Sequence, residues 1–212
     1  MVLYISVSRI STELDGKNHQ LQNSFCTGVY DMDFSNNILQ IELQLLDGIA
    51  AMRTAWLDAV VPVISSFGDK GIGWIIVAVV LACIPKYRKA GITMGLALIF
   101  CLLIGNMTLK PLIARPRPYT YVPEMTLLVA PLADFSFPSG HTFASFAAAT
   151  ALFLHHKKLG IAAYILAAVI AFTRLYLYVH FPSDVAAGML LGISSGWIAY
   201  RIVQSVAAHK KI

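Results

Sequence analysis

Charge is what this chain has least of. Only 13% of its 212 residues are Asp, Glu, Lys or Arg, against roughly 25% in soluble domains. With 58% hydrophobic residues and a mean hydropathy of +0.69, that shortage excludes an ordinary water-soluble domain. Cysteine is scarce too: three residues, an odd number, do not make a disulfide framework. Cys83 and Cys101 lie inside apolar runs and read as small core fillers. Residues 1–36 contain no apolar region long enough for a signal peptide. They are expected to form an N-terminal tail, of which 1–31 either lack fixed structure or precede the native start site.

What is present is a series of apolar blocks, each approaching the ~20 residues that cross a bilayer core. The runs 72–84, 90–109, 143–154, 159–173 and 185–200 predict about five transmembrane helices. Upstream, residues 37–67 carry a helical apolar pattern interrupted by Glu42, Asp47, Arg53 and Asp58. That pattern suits an amphipathic helix in the membrane interface, or a sixth helix packed on the bundle. The expected architecture is an all-α polytopic membrane bundle over 68–205, with a basic tail at 206–212.

The basic residues fall into two groups. Lys86, Arg88 and Lys89, then Lys157 and Lys158, then Lys210 and Lys211 fall on one side of a five-span arrangement. The positive-inside rule makes that side cytoplasmic and accounts for part of the net charge of +5 without nucleic acid. Lys110, Arg115, Arg117 and Arg174 fall on the other side, against the rule.

Three stretches converge there. Lys110-Pro-Leu-Ile-Ala-Arg115-Pro-Arg117-Pro118 offers three cations on a proline-restricted backbone. Pro138-Ser139-Gly140-His141 opens a span: Ser139 suits the N-cap, and Gly140 lets an anion approach the free amides of the first turn. A plain cap beside an interfacial histidine explains that stretch equally well. Arg174, His180 and Asp184 complete the set, with Pro182 suited to the first helical position and Asp184 to orienting His180. Zinc could use His141, His180 and Asp184, but four fixed cations repel a dication and attract a phosphate dianion. Two histidines at a phosphate site point to displacement at phosphorus, with His180 as nucleophile and the other histidine as general acid. No metal or cofactor is expected.

Lys110 followed by Arg117-Pro118, then Pro138-Ser139-Gly140-His141, then Arg174, His180 and Asp184 resembles the type 2 phosphatidic acid phosphatase family, which shares its site with glucose-6-phosphatase and the vanadium haloperoxidases. The resemblance implies metal-independent hydrolysis of a lipid phosphomonoester or diphosphate. It implies a phosphohistidine at His180 supported by Asp184, with His141 protonating the leaving group. Lys110, Arg117, Ser139, Gly140 and Arg174 would hold the phosphate. Arg115 lies outside the motif and is an accessory candidate; Thr173 stands where the family has serine. Undecaprenyl diphosphate is the expected substrate, ahead of phosphatidylglycerophosphate and phosphatidic acid. A lipid phosphotransferase is the rival enzyme. An anion transporter is the rival of another class, disfavoured because the charges gather at span ends rather than mid-span.

Overall fold

The computed structural model describes residues 36–209. The expected N-terminal tail and most of the basic C-terminal tail lie outside them. Residues 43 onward form one compact unit; of the unit before it, only 36–42 are described, and they are helical. The helices are α1 (36–50), α2 (Ala55–Ser66), α3 (Ile72–Cys83), α4 (Arg88–Phe100), α5 (Lys110–Ile113), α6 (Gly140–His155), α7 (Lys157–Tyr176) and α8 (Pro182–His209). No strand occurs among the described residues.

Stretches of helix long and apolar enough to cross a membrane are Ala55–Cys83, Arg88–Thr120, Lys157–Tyr176 and Pro182–His209. The single helix expected over 37–67 is instead two, α1 and α2, with a break at 51–54. The break has a physical cause. Arg53 leaves the helical path to donate to the carbonyls of Thr126 at 2.8 Å and Tyr176 at 3.0 Å. Thr54 follows it in an extended conformation.

At the centre sits α6, Gly-His-Thr-Phe-Ala-Ser-Phe-Ala-Ala-Ala-Thr-Ala-Leu-Phe-Leu-His, whose residues from Thr142 to Leu152 are all buried. A helix of small and apolar residues buried around its whole circumference, its Ser145 and Thr150 hydrogen-bonded to Trp74 and Tyr164, belongs inside a bundle. It is 16 residues long and packed on several sides by helices, so its burial comes from protein. The approach of α8 depends on Gly188, Gly192 and Gly196, spaced four residues apart. A Cβ at each would come within 2.8, 2.7 and 2.6 Å of atoms of α6 or its cap. Small residues at this spacing let two backbones meet closely, which is how membrane helices gain packing contacts where lipid offers no hydrophobic drive.

One end of the bundle gathers the basic residues of the α3–α4 and α6–α7 turns. Tyr87 packs edge-on against His156 at 4.9 Å, and His155 against Tyr200 at 5.0 Å. From Arg88 the chain runs through α4 and a π-helical stretch, Cys101–Leu109, into α5. Twenty-two residues at helical rise carry it roughly 30 Å, a bilayer core, to Lys110 at the opposite end. Lys110 does not leave the helix as expected. Pro111 follows directly on the π-helical stretch, and the helix stops only at Ala114, whose φ of 48° is left-handed.

Candidate active site

The end of the π-helical stretch, the cap of α6 and the α7–α8 turn surround a cavity of about 810 Å³. Lys110, Arg117, Gly140, His141, Arg174 and His180 all line it. Long π-helical runs are rare and often sit at functional sites. Here the run ends on Lys110 and carries Asn106, whose amide oxygen lies 3.4 Å from where a Gly140 Cβ would be. Glycine at 140 therefore leaves the α6 cap open to the cavity.

The cations are buried. Arg117 is 3% exposed and donates from Nη1 to the Val179 carbonyl at 2.6 Å, with His180 Nε2 3.3 Å from the same nitrogen. Its Nη2 donates to Asp134 Oδ1 at 2.6 Å, and Lys110 donates to Asp134 Oδ2. Arg174, also 3% exposed, donates to Ser65 Oγ at 2.5 Å, while its Nε is buried with no partner among the described residues. A buried guanidinium nitrogen without an acceptor is rare, and an anion in the cavity supplies one.

His180 is the fully enclosed member of the site, 1% exposed. Burial pushes its imidazole down to about 3, the charges of Arg117 and Arg174 adding to the effect and Asp184 opposing it. The ring is neutral at neutral pH. Its Nδ1 lies 3.7 Å from Asp184 Oδ2, beyond hydrogen-bond reach, and Ser136 fills the gap. Ser136 Oγ donates to Asp184 Oδ2 at 2.5 Å and lies 3.4 Å from His180 Nδ1. With the hydroxyl proton committed to Asp184, the serine oxygen can only accept from Nδ1–H. That tautomer leaves the Nε2 lone pair on the side of Arg117 and the cavity. Asp184 thus faces His180 as expected, at 3.7 Å, and Ser136 adds a hydroxyl that contacts both.

Asp184, 0% exposed, is held on every side. It accepts from Arg115 Nη1 at 2.6 Å and from the Phe181 amide at 2.9 Å. Arg115 also donates to Ser183 Oγ at 2.7 Å and stacks 3.9 Å over the Phe181 ring. Its accessory position resolves into support of Asp184, with no place on the cavity wall. Ser139 takes the N-cap position of α6 as expected, but without capping the helix through its side chain. Its hydroxyl pairs with Thr142 Oγ1 at 3.0 Å, and the residue does not line the cavity.

His141 has a carboxylate of its own: Nε2 lies 2.9 Å from Asp69 Oδ1, supplied by the turn between α2 and α3. Gly68 makes that pairing possible, since a Cβ there would sit 2.6 Å from the imidazole Cδ2. Asp69, Asp134, Ser136 and Ser65 were not singled out from sequence. The one available signal was the chain break at Gly68-Asp-Lys-Gly71, which marks a turn without saying what it faces.

The arrangement can seat an anion among three cations, present a neutral imidazole nitrogen to it, and place a second imidazole on the same cavity. Beyond the polar end, the cavity continues between α3 and α4 along Ile75, Val79, Leu98, Ile99 and Leu102, with Ala78 and Gly95 keeping the lane open.

Comparison with known proteins agrees. Residues 90–207, more than half the chain, match the PAP2 superfamily. An undecaprenyl-diphosphatase of Sulfolobus acidocaldarius is 34% identical over 163 residues, covering 76% of this chain and 77% of that protein. The crystal structure of a transmembrane PAP2-type phosphatidylglycerolphosphate phosphatase from Bacillus subtilis superposes with a TM-score of 0.67 at 26% identity, over 81% of this chain and 88% of that one. That of Aquifex aeolicus LpxE gives 0.61 at 27% identity, over 76% and 95%. The matched region contains every motif residue from Lys110 to Asp184, and the chain belongs to the PAP2 superfamily as a membrane-spanning phosphatase.

Proposed function

We propose that the protein hydrolyses a polyprenyl diphosphate, undecaprenyl diphosphate by its similarity to the Sulfolobus relative, on the extracytoplasmic face of the membrane. The observation that carries a lipid substrate is the shape of the cavity. Its cationic end fits a phosphoryl headgroup and its apolar lane between α3 and α4 fits an isoprenoid or acyl chain. The orientation rests on charge: Lys86, Arg88 and Lys89 share one end of the bundle with Lys157 and Lys158, and the site lies at the other.

In this reading Lys110, Arg117 and Arg174 hold the terminal phosphoryl oxygens, with the α6 amides at Gly140 adding donors. The Nε2 lone pair of His180 attacks phosphorus, and the bond from phosphorus to the leaving oxygen breaks. His141 supplies a proton to that oxygen where the leaving group needs one, as in a monoester. The growing positive charge on His180 is relayed through Nδ1–H and Ser136 to Asp184. Water then attacks the phosphohistidine; its proton goes to His141 where that residue has given one up and stays on the product phosphate otherwise, and phosphate leaves with His180 neutral. Ser139 serves by fixing the α6 cap.

The test is phosphate release from undecaprenyl diphosphate by the full-length protein in detergent, alongside phosphatidylglycerophosphate and phosphatidic acid. His180→Ala is expected to abolish release and the acid-labile phosphoenzyme together. His141→Ala slows monoester cleavage more than diphosphate cleavage. Full activity in His180→Ala overturns the mechanism; preference for a glycerophospholipid overturns the substrate.

A further inference from the structure

The loop between α5 and α6 brings a carboxylate into the cation cluster. Asp134 receives Lys110 on one carboxylate oxygen and Arg117 on the other, and its carbonyl accepts from Arg117 Nε at 2.9 Å. The two cations are fixed, with side chains 9% and 3% exposed, whereas that of Asp134 is 54% exposed. Of the three, Asp134 has room to leave. A carboxylate and a phosphoryl group offer a guanidinium the same pair of oxygens. Burial raises the Asp134 carboxyl, but the hydrogen bond and charge of Lys110, followed by Arg117, overcome it and hold the group at about 2. It is therefore ionised wherever the enzyme works. The remaining cation, Arg174, has no partner for its Nε among the described residues, so the carboxylate fills only part of the anion seat.

We propose that Asp134 is an internal competitor, a carboxylate that occupies Lys110 and Arg117 in the empty enzyme and is displaced by the incoming phosphoryl group. The proposal rests on reading those two cations as phosphate ligands. Its consequence is quantitative. Apparent affinity equals intrinsic affinity multiplied by the fraction of enzyme with the seat open, and that fraction belongs to the empty enzyme alone. Every ligand that evicts Asp134 is weakened by one common factor, substrate and product alike. Product phosphate, a small anion in a buried cationic seat, is then kept from rebinding because the carboxylate returns to the seat behind it.

Two other roles give different signatures. A carboxylate that stayed beside the bound group would repel a dianion more than a monoanion. A carboxylate needed to position Lys110 and Arg117 would weaken binding when removed.

The experiment measures dissociation constants by calorimetry on full-length protein in detergent, so it does not depend on turnover. The probes are inorganic phosphate, dodecylphosphonate as a dianion and its monomethyl ester as a monoanion. Asp134→Asn is expected to tighten all three by the same factor, on the order of tenfold. Asp134→Ala, which cannot hydrogen-bond through its side chain, should do the same and stands in if the first variant folds poorly. No change, weaker binding, or tightening confined to the dianions overturns the proposal. Lys110→Met, measured in parallel, separates it from the reading beneath: loss of phosphate affinity there keeps the cation assignment even when Asp134→Asn fails, and unchanged affinity there removes the basis of both.

Discussion

Replacing Ser136 by alanine tests the site where structure and motif diverge. The residue is fully buried, and its hydroxyl contacts both His180 Nδ1 and Asp184 Oδ2, which lie 3.7 Å apart. In the proposed mechanism His180 becomes cationic on attacking phosphorus, and the bonds from Nδ1–H to that hydroxyl and from the hydroxyl to the carboxylate strengthen. Hydrogen bonds involving a charged group contribute about 1.5–3 kcal/mol. If that amount is felt only in the transition state, Ser136→Ala lowers kcat/KM by about 10- to 100-fold. Asp184 can close part of the gap once the hydroxyl is gone, which favours the lower end.

The assay is rapid-quench measurement of phosphoenzyme formation together with steady-state phosphate release. A positioning residue should slow phosphorylation while leaving the dissociation constant of inorganic phosphate unchanged, because Lys110, Arg117 and Arg174 do not touch it. Ser136→Thr, which keeps the hydroxyl, should recover part of the rate. Wild-type phosphorylation by Ser136→Ala would refute the relay and return Asp184 to direct support of His180. Equal loss of phosphate affinity and rate would show a collapsed loop instead.

Two further outcomes follow from the same geometry. Because His180 is held at about 3, it stays neutral as pH falls through 6.5, and phosphoenzyme formation at pH 5 should remain within about twofold of its rate at pH 7. Loss of the burst near pH 6.5 in a pH-jump experiment would place His180 in an ordinary environment. Asp69→Asn removes the carboxylate that His141 pairs with at 2.9 Å; one hydrogen bond of this kind contributes about 1 kcal/mol, so monoester turnover should fall by about threefold to fivefold and diphosphate turnover less.

The motif residues were legible from sequence because they sit where hydropathy changes. Lys110, His141, Arg174 and Asp184 each border an apolar run, and alternating span directions bring those borders to one end of the bundle. Their supports were not legible. Asp134 and Ser136 lie in a loop with no periodicity, and their places depend on where Arg117 and Asp184 fold back to meet them. Asp69 depends on a left-handed pair, Lys70 and Gly71, that turns the chain from α2 to α3 beneath His141. Ser65 is one serine on an apolar helix until α2 packs against α7 and places it at Arg174. The break at 51–54 was hidden for the same reason, since Arg53 leaves its helix for carbonyls more than 70 residues away.

The pairing of these supports explains how a carboxylate can stand behind a phosphate site without weakening it. Asp184 is wholly buried, and an unpaired negative charge there would repel the group that His180 attacks. Arg115 pairs with Asp184 Oδ1 at 2.6 Å, whereas Ser136 and His180 meet Oδ2. Asp184 keeps its other oxygen for the serine relay and adds little net field at phosphorus. Removing Asp134 on substrate entry then leaves Lys110, Arg117 and Arg174 facing the cavity without a competing carboxylate on any of them. Three cations around a phosphoryl group match the charge that spreads over its equatorial oxygens as the bond to the leaving group lengthens. In the proposed reading Arg115 and Asp134 therefore have complementary parts: one offsets the charge of the supporting carboxylate, and the other occupies the phosphate seat until substrate arrives.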